Sequence, residues 1–208
     1  MSPGRSGKQK KFKHAPRKSN KLPIAIGLLI IITVVITVVY VFALNNSGDS
    51  TSSGGTVLLQ TSMGNITIQL RDDKPITTSN FKNLIEQCVY DGTIFHRIIA
   101  DFMIQGGQNT DVTVATIPDE IGNDNHNYRG TIAMAKTSQP NSATSQFFIN
   151  VVDNSQVVYS DGTKFDETYT VFGTVTSGMD VADAISNVVT ENEKPVTDVI
   201  LIKAEIIS

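Results

Sequence analysis

The densest run of chemically capable side chains lies between Ile94 and Gly107, reading Ile-Phe-His-Arg-Ile-Ile-Ala-Asp-Phe-Met-Ile-Gln-Gly-Gly. Arg97 stands among Ile and Phe, where a guanidinium must find a partner or line a cavity, because burying it alone is costly. Phe102 and Met103 offer soft apolar surface, and Gln105 brings an amide that both donates and accepts. A second cluster, Gly130–Ala135 followed by Ser145-Gln146-Phe147-Phe148-Ile149-Asn150, repeats these residue types. As residue types alone, the two clusters fit either a pocket or ordinary barrel core. Metal and thiol chemistry has little to build on. Cys88 is the lone cysteine, so there is no intramolecular disulfide and no cysteine-rich zinc site. His14, His96 and His126 are far apart and lack the spacing of a histidine-led metal site.

Several elements must position these side chains. Two β-rich runs, 56–60 and 66–70, flank Ser62-Met63-Gly64-Asn65 and predict a hairpin. After Pro75, the cluster Thr77-Thr78-Ser79 reads as a cap for an amphipathic helix. Phe81, Leu84, Ile85 and Cys88 follow at i, i+3, i+4 and i+7, which places Cys88 on the core face. Further strands are expected at 93–99, 102–105, 131–135, 146–152, 171–176 and 198–207, with a second helix at 179–186. About eight strands and two helices without regular βαβ alternation favour an antiparallel barrel closed at its ends by helices.

The chain carries 17 Lys and Arg against 20 Asp and Glu, a net charge of −3 that conceals a split. Eight basic residues and no acid lie in residues 1–22. The remainder has nine basic side chains against twenty acidic ones, a net of −11. An acidic body of this kind excludes a nucleic-acid-binding surface of clustered Lys and Arg. Residues 24–44, IAIGLLIIITVVITVVYVFAL, contain no charge. A helix of that length rises roughly 31 Å, about the thickness of a bilayer's hydrocarbon layer. The basic flank before it predicts a cytoplasmic tail (1–23), a transmembrane helix (24–44) and an extracytoplasmic C-terminal body. A cleaved signal peptide is the rival reading, but the apolar run exceeds the length of an ordinary signal core. Residues 45–55, all small or polar, read as a flexible linker. The folded domain is then expected at 56–208.

Four motifs in order, F-H-R-x-I-x-x-F-M-I-Q-G-G, G-T-I-A-M-A, S-Q-F-F-I and V-F-G-x-V, resemble the cyclophilin family of peptidyl-prolyl cis-trans isomerases. The likeness spans about residues 56–207. It implies a mainly β fold, a closed eight-stranded antiparallel barrel capped by two α-helices. It also implies rotation about X-Pro bonds in client proteins, with neither cofactor nor metal, acting on proline-containing peptide segments as a monomer. Carried over residue by residue, the resemblance makes Arg97 the catalytic arginine. Phe102, Met103, Phe148 and Phe165 become the proline pocket, Gln105 and Gln146 its polar rim, and Ala135 the peptide-binding edge. Tyr169 falls where many members have His, and His96 takes a structural place beside the arginine. Departures fall at Lys164, near a Trp of several eukaryotic members, at Lys136, where many have Asn, and after Gly107, where a glycine-rich loop is missing. A binding module retaining proline segments with little turnover is the alternative; it would need the pocket but not Arg97.

Overall fold

The structure is a computed structural model that describes residues 54–122 and 124–208. The expected basic tail, the apolar span 24–44 and most of the linker lie outside the described residues. Among those described, no helix is long and apolar enough to cross a membrane. Gly54 and Gly55, the last two residues of the expected linker, are buried within the body. The Leu70 amide donates to the Gly55 carbonyl at 2.9 Å, and the Gly54 amide donates to the Asp72 carboxylate.

The predicted hairpin forms from β1 (Thr56–Thr61) and β2 (Gly64–Leu70). They join β3 (Thr93–Ile94), β4 (Arg97–Ile99), β5 (Met103–Gly106), β6 (Thr131–Met134), β7 (Phe147–Asn150), β8 (Val171–Ser177) and β11 (Ile200–Ile206). These nine strands make one antiparallel sheet in the order β3-β11-β1-β2-β8-β6-β7-β5-β4. A small separate hairpin pairs β9 (Thr190–Glu191) with β10 (Lys194–Pro195). The two edge strands, β3 and β4, are consecutive in the chain, with only Phe95 and His96 between them. The sheet therefore curls until one seven-residue segment supplies both edges. β3 pairs with β11 and β4 pairs with β5, so the curl is bridged by the backbone and not by a closed ladder. The expected single strand over 93–99 is thus two short ones, which accounts for nine strands where eight were expected.

Helix α1 (Pro75–Glu86) buries Phe81, Leu84 and Ile85. Phe81 packs against Tyr90 and Phe172, with ring centroids 5.0 Å apart in each case, and against Phe147 at 5.6 Å. Two expectations for this helix are corrected. Its first turn is not capped by the Thr77-Thr78-Ser79 cluster, because Pro75 opens the helix earlier. Glu120, from a distant loop, accepts from the Ile76 amide at 3.2 Å and from the Thr77 amide at 2.7 Å. A carboxylate there satisfies free N–H groups and meets the positive end of the helix dipole. Cys88 is exposed rather than on the core face. The helix stops at Glu86 and the chain turns left-handed at Cys88, φ 55°. The i+7 position is therefore no longer on the helix, and Val89 and Tyr90 fill the core instead. Helix α2 (Met179–Ser186) lies where the sequence predicts it and buries Ala182 and Ile185.

Strands β6 and β7 are buried on both faces, and β4 and β5 continue the same two faces. The register aligns Ile98, Ile104, Ile149 and Ile132 in one cross-strand row, which joins the main core. The neighbouring row, Arg97, Gln105, Phe148 and Ala133, points to the other side, because side chains alternate along a strand. A second, smaller apolar cluster sits on that face: Met103, Ala133, Ala135, Phe148, Phe165 and Val171. The two faces of the same strands thus carry the core and the candidate site.

Candidate active site

Strand register brings Arg97 and Gln105 opposite each other on β4 and β5, and Gln105 opposite Phe148 on β7. Met103, two residues before Gln105, shares its face and is buried. Phe102 precedes β5, just after Asp101, whose φ of 54° turns the chain between β4 and β5. A cavity of about 280 Å³ is lined by Arg97, Phe102, Met103, Gln105, Phe148, Phe165 and Tyr169, seven of the nine expected site residues, together with Tyr159. The remaining two, Ala135 and Gln146, line an adjoining cavity of about 190 Å³ with Lys136, Thr137, Ser142 and Thr144. The Gln105 amide links the cavities by donating to Gln146 Oε1 at 2.9 Å. A larger surface hollow, about 780 Å³ and lined by residues 62–63, 187–189 and 196–199, contains none of these residues.

Phe165 forms the wall opposite the sheet. It lies on the short 3-10 helix Phe165–Glu167, within a long loop laid across β5 and β7. Its ring centroid is 5.4 Å from Phe102 and 5.7 Å from Phe148, both in edge-to-face contact, and 4.7 Å from Tyr169, whose ring is tilted against it. Buried asparagines hold that loop. Asp166 accepts from the Asn127 backbone amide at 2.7 Å, and Asn125 donates to the Asp166 and Tyr169 carbonyls at 2.6 and 2.8 Å. Asn154 donates to Asn150 Oδ1 at 2.7 Å and to the Phe102 carbonyl at 2.9 Å. Asn150 donates in turn to Asn127 Oδ1 at 3.1 Å. Satisfied buried amides of this kind rigidify, and each one left unpaired is costly.

Arg97 is half-exposed at the cavity's lip. Its Nε donates to Glu193 Oε2 at 2.6 Å. Among the described residues, its two terminal nitrogens make no hydrogen bond to protein. His96, next in the chain, faces the Gln105 amide nitrogen at 3.5 Å, and its Nδ1 is buried without a hydrogen bond of good geometry. Burial holds the His96 imidazole below its ordinary pKa. The Ile94 backbone and the Gln146 side chain oppose burial more weakly than it acts, and the nearby Arg97 charge adds least to the lowering.

Three features escaped the sequence reading. Tyr159 closes the pocket and donates to the Tyr169 hydroxyl at 3.0 Å; burial pushes its own hydroxyl pKa up. Lys136, one of the departures, is nearly buried and bonds Asp119 at 2.7 Å, so its charge is spent inside the protein. Glu193 reaches the site from a distant hairpin. Only the run Asn-Asp-Asn-His-Asn at 123–127 hinted at the asparagine network, because Asn is rarely placed so densely without turns or side-chain bonding. Lys164, another of the three departures, is exposed and pairs with Glu167 at 3.2 Å.

Residues 56–206 match the family model for cyclophilin type peptidyl-prolyl cis-trans isomerases. Peptidyl-prolyl cis-trans isomerase A of Dickeya dadantii is 45% identical, over 81% of this chain and 90% of its own length. A peptidyl-prolyl cis-trans isomerase of Acinetobacter baylyi is 49% identical, over 64% of this chain and 73% of its own. Among solved structures, the cyclophilin type isomerase of Cryptosporidium parvum superposes with a TM-score of 0.64 at 26% identity, covering 74% of this chain and 98% of that one. The same protein, solved in the presence of the dipeptide Ala-Pro, gives 0.64 at 27%. With its sheet, its two helices and its motif-bearing face all accounted for, the chain belongs to the cyclophilin-type peptidyl-prolyl cis-trans isomerases.

Proposed function

We propose that the chain is a membrane-tethered prolyl isomerase in which Arg97 stabilises the twisted peptide bond while an apolar pocket holds the proline ring. One observation carries this reading: an arginine with unengaged terminal nitrogens stands at the rim of a small aromatic cavity, directly across from Gln105. The cavity of about 280 Å³ is just smaller than usual ligand pockets, roughly 300–1,000 Å³, and suits one ring better than an extended ligand.

The chemistry needs no covalent step. Peptide rotation faces a barrier of roughly 18–20 kcal/mol because C–N resonance is lost. An X-Pro bond populates both isomers and exchanges unaided in tens to hundreds of seconds. At the twisted state the prolyl nitrogen regains its lone pair and becomes an acceptor. A guanidinium N–H already fixed there binds that state better than the planar ground state, which is the condition for catalysis. Phe102, Met103, Phe148 and Phe165 grip the pyrrolidine ring. Gln105 and Gln146 offer hydrogen bonds to the flanking peptide, Ala135 leaves an open edge beside it, and Tyr169 closes the far wall. The site needs a rigid backing, and we take the curled sheet to act as a barrel closed through the backbone at Phe95 and His96.

The placement of the body follows from the sequence. Residues 1–23 form the cytoplasmic tail, 24–44 the membrane helix and 45–53 the tether, so the catalytic domain acts on extracytoplasmic proteins as they fold. The clients are proline-containing segments, and the acidic body is not a nucleic-acid binder. A protease-coupled assay with a proline-containing peptide, on the full chain in detergent, tests the activity. Accelerated isomerisation is expected. Peptide binding without acceleration would leave a binding module instead.

A further inference from the structure

The hairpin of β9 and β10 turns through only Asn192 and Glu193, and both are left-handed, with φ of 51° and 66°. Such a turn normally places Gly at its second position, because a side chain there is strained. Glu193 occupies that position in spite of the strain. Its carbonyl accepts from the Ile98 amide at 2.7 Å, which pins the turn to β4. Its carboxylate accepts from Arg97 Nε at 2.6 Å. Non-glycine residues held in such conformations gather where the surroundings demand a particular side chain. Here the side chain meets the one residue on which the isomerase reading depends.

We propose that Glu193 is a positioning residue for Arg97. The inference rests on the catalytic reading of Arg97 and deepens it. An arginine side chain has several rotatable bonds, and at the lip of a groove it is free to swing into solvent. A bond to Nε fixes the root of the guanidinium plane and leaves both terminal nitrogens for the substrate. The backbone of Glu193 is held in its turn by the bond from the Ile98 amide, one residue beyond Arg97, to its carbonyl. The two contacts form a short brace across β4. The strained turn and the ion pair are independent observations, and they meet at Glu193.

The test is a mutant cycle on the full chain, read by peptide isomerisation and by thermal melting. Glu193→Gly suits the left-handed turn, so melting should stay the same or rise. Its kcat/KM should nevertheless fall about three- to fivefold, the size expected of one half-exposed ion pair, with the loss in kcat and not in KM. Glu193→Gln keeps an acceptor oxygen at the same reach and should retain more of the rate. In an Arg97→Ala background, Glu193→Gly should change nothing further. Unchanged or raised kcat/KM in Glu193→Gly would overturn the proposal. So would an equal fractional loss in both backgrounds, or a Gln variant no better than Gly. Near-normal activity in Arg97→Ala alone would instead sink the catalytic reading beneath it, so the two failures are distinguishable.

Discussion

His96 and Arg97 are neighbours in sequence with opposite relations to water. Arg97 reaches the lip of the groove, whereas His96 keeps one ring nitrogen buried and without a good partner. Because burial lowers the folded imidazole below its usual value of about 6.5, the unfolded chain takes up a proton that the fold refuses as pH drops below that value. Stability should therefore decline from about pH 6.5 downward until the folded imidazole itself protonates. The carboxylates held down by arginine, Asp73 by Arg71 and Asp183 by Arg129, act only from their ordinary value of 3.8 downward, so the windows separate. Melting of the wild type and of His96→Gln, followed between pH 7 and 5, should diverge below about 6.5, with the variant flatter. Parallel curves would remove His96 from the account.

At the scale of elements, the site is the outer face of strands whose inner face is the core. That arrangement explains what could be read from the sequence and what could not. β1, β2 and α2 show their periods, because each presents one apolar face. The aromatic and aliphatic positions of α1 were legible for the same reason, but its end was not, because nothing local before Cys88 stops a helix; the left-handed turn there is set by Val89 and Tyr90 entering the core. β6 and β7 are buried on both faces, so Phe147 and Phe148 look alike in sequence although one faces the core and the other the pocket. Motif likeness, not period, separated them. The break at Phe95 and His96, the cap from Glu120 and the arrival of Glu193 are long-range facts with no local signature. The asparagine network is the element that keeps Phe165 in place, and it makes a prediction. Asn127→Ala removes one side-chain hydrogen bond from Asp166 and one from Asn150, while the residue-127 backbone amide still reaches Asp166 and Thr131 still accepts from Asn150; the two lost bonds should cost about 1–3 kcal/mol. Denaturant unfolding should show this loss, together with a raised KM as the Phe165 wall loosens. A loss below about 0.5 kcal/mol with unchanged KM would show that the loop is held by other means.

The molecule as a whole joins an acidic folded body to a basic arm through an uncharged apolar run. That split, visible in the sequence, makes the topology testable. Protease added to intact cells or spheroplasts should cut the tether and release an active body. Protection of the body until the membrane is permeabilised would reverse the orientation, and a mature chain beginning near Leu44 would reveal a cleaved signal instead. Wherever the body resides, the proposed mechanism rests on a single cation, Arg97, at the rim of the aromatic cavity. The most direct measurement is kcat/KM for Arg97→Ala beside its melting temperature. The account predicts a loss of about 10²–10³, the usual effect of removing one preorganised donor, with peptide binding little changed and melting like that of the wild type. Arg97→Lys should recover little of the rate, since an ammonium lacks the planar fork. A variant that melts many degrees lower yet isomerises at a near-normal rate while folded would contradict the account and leave Arg97 a structural residue.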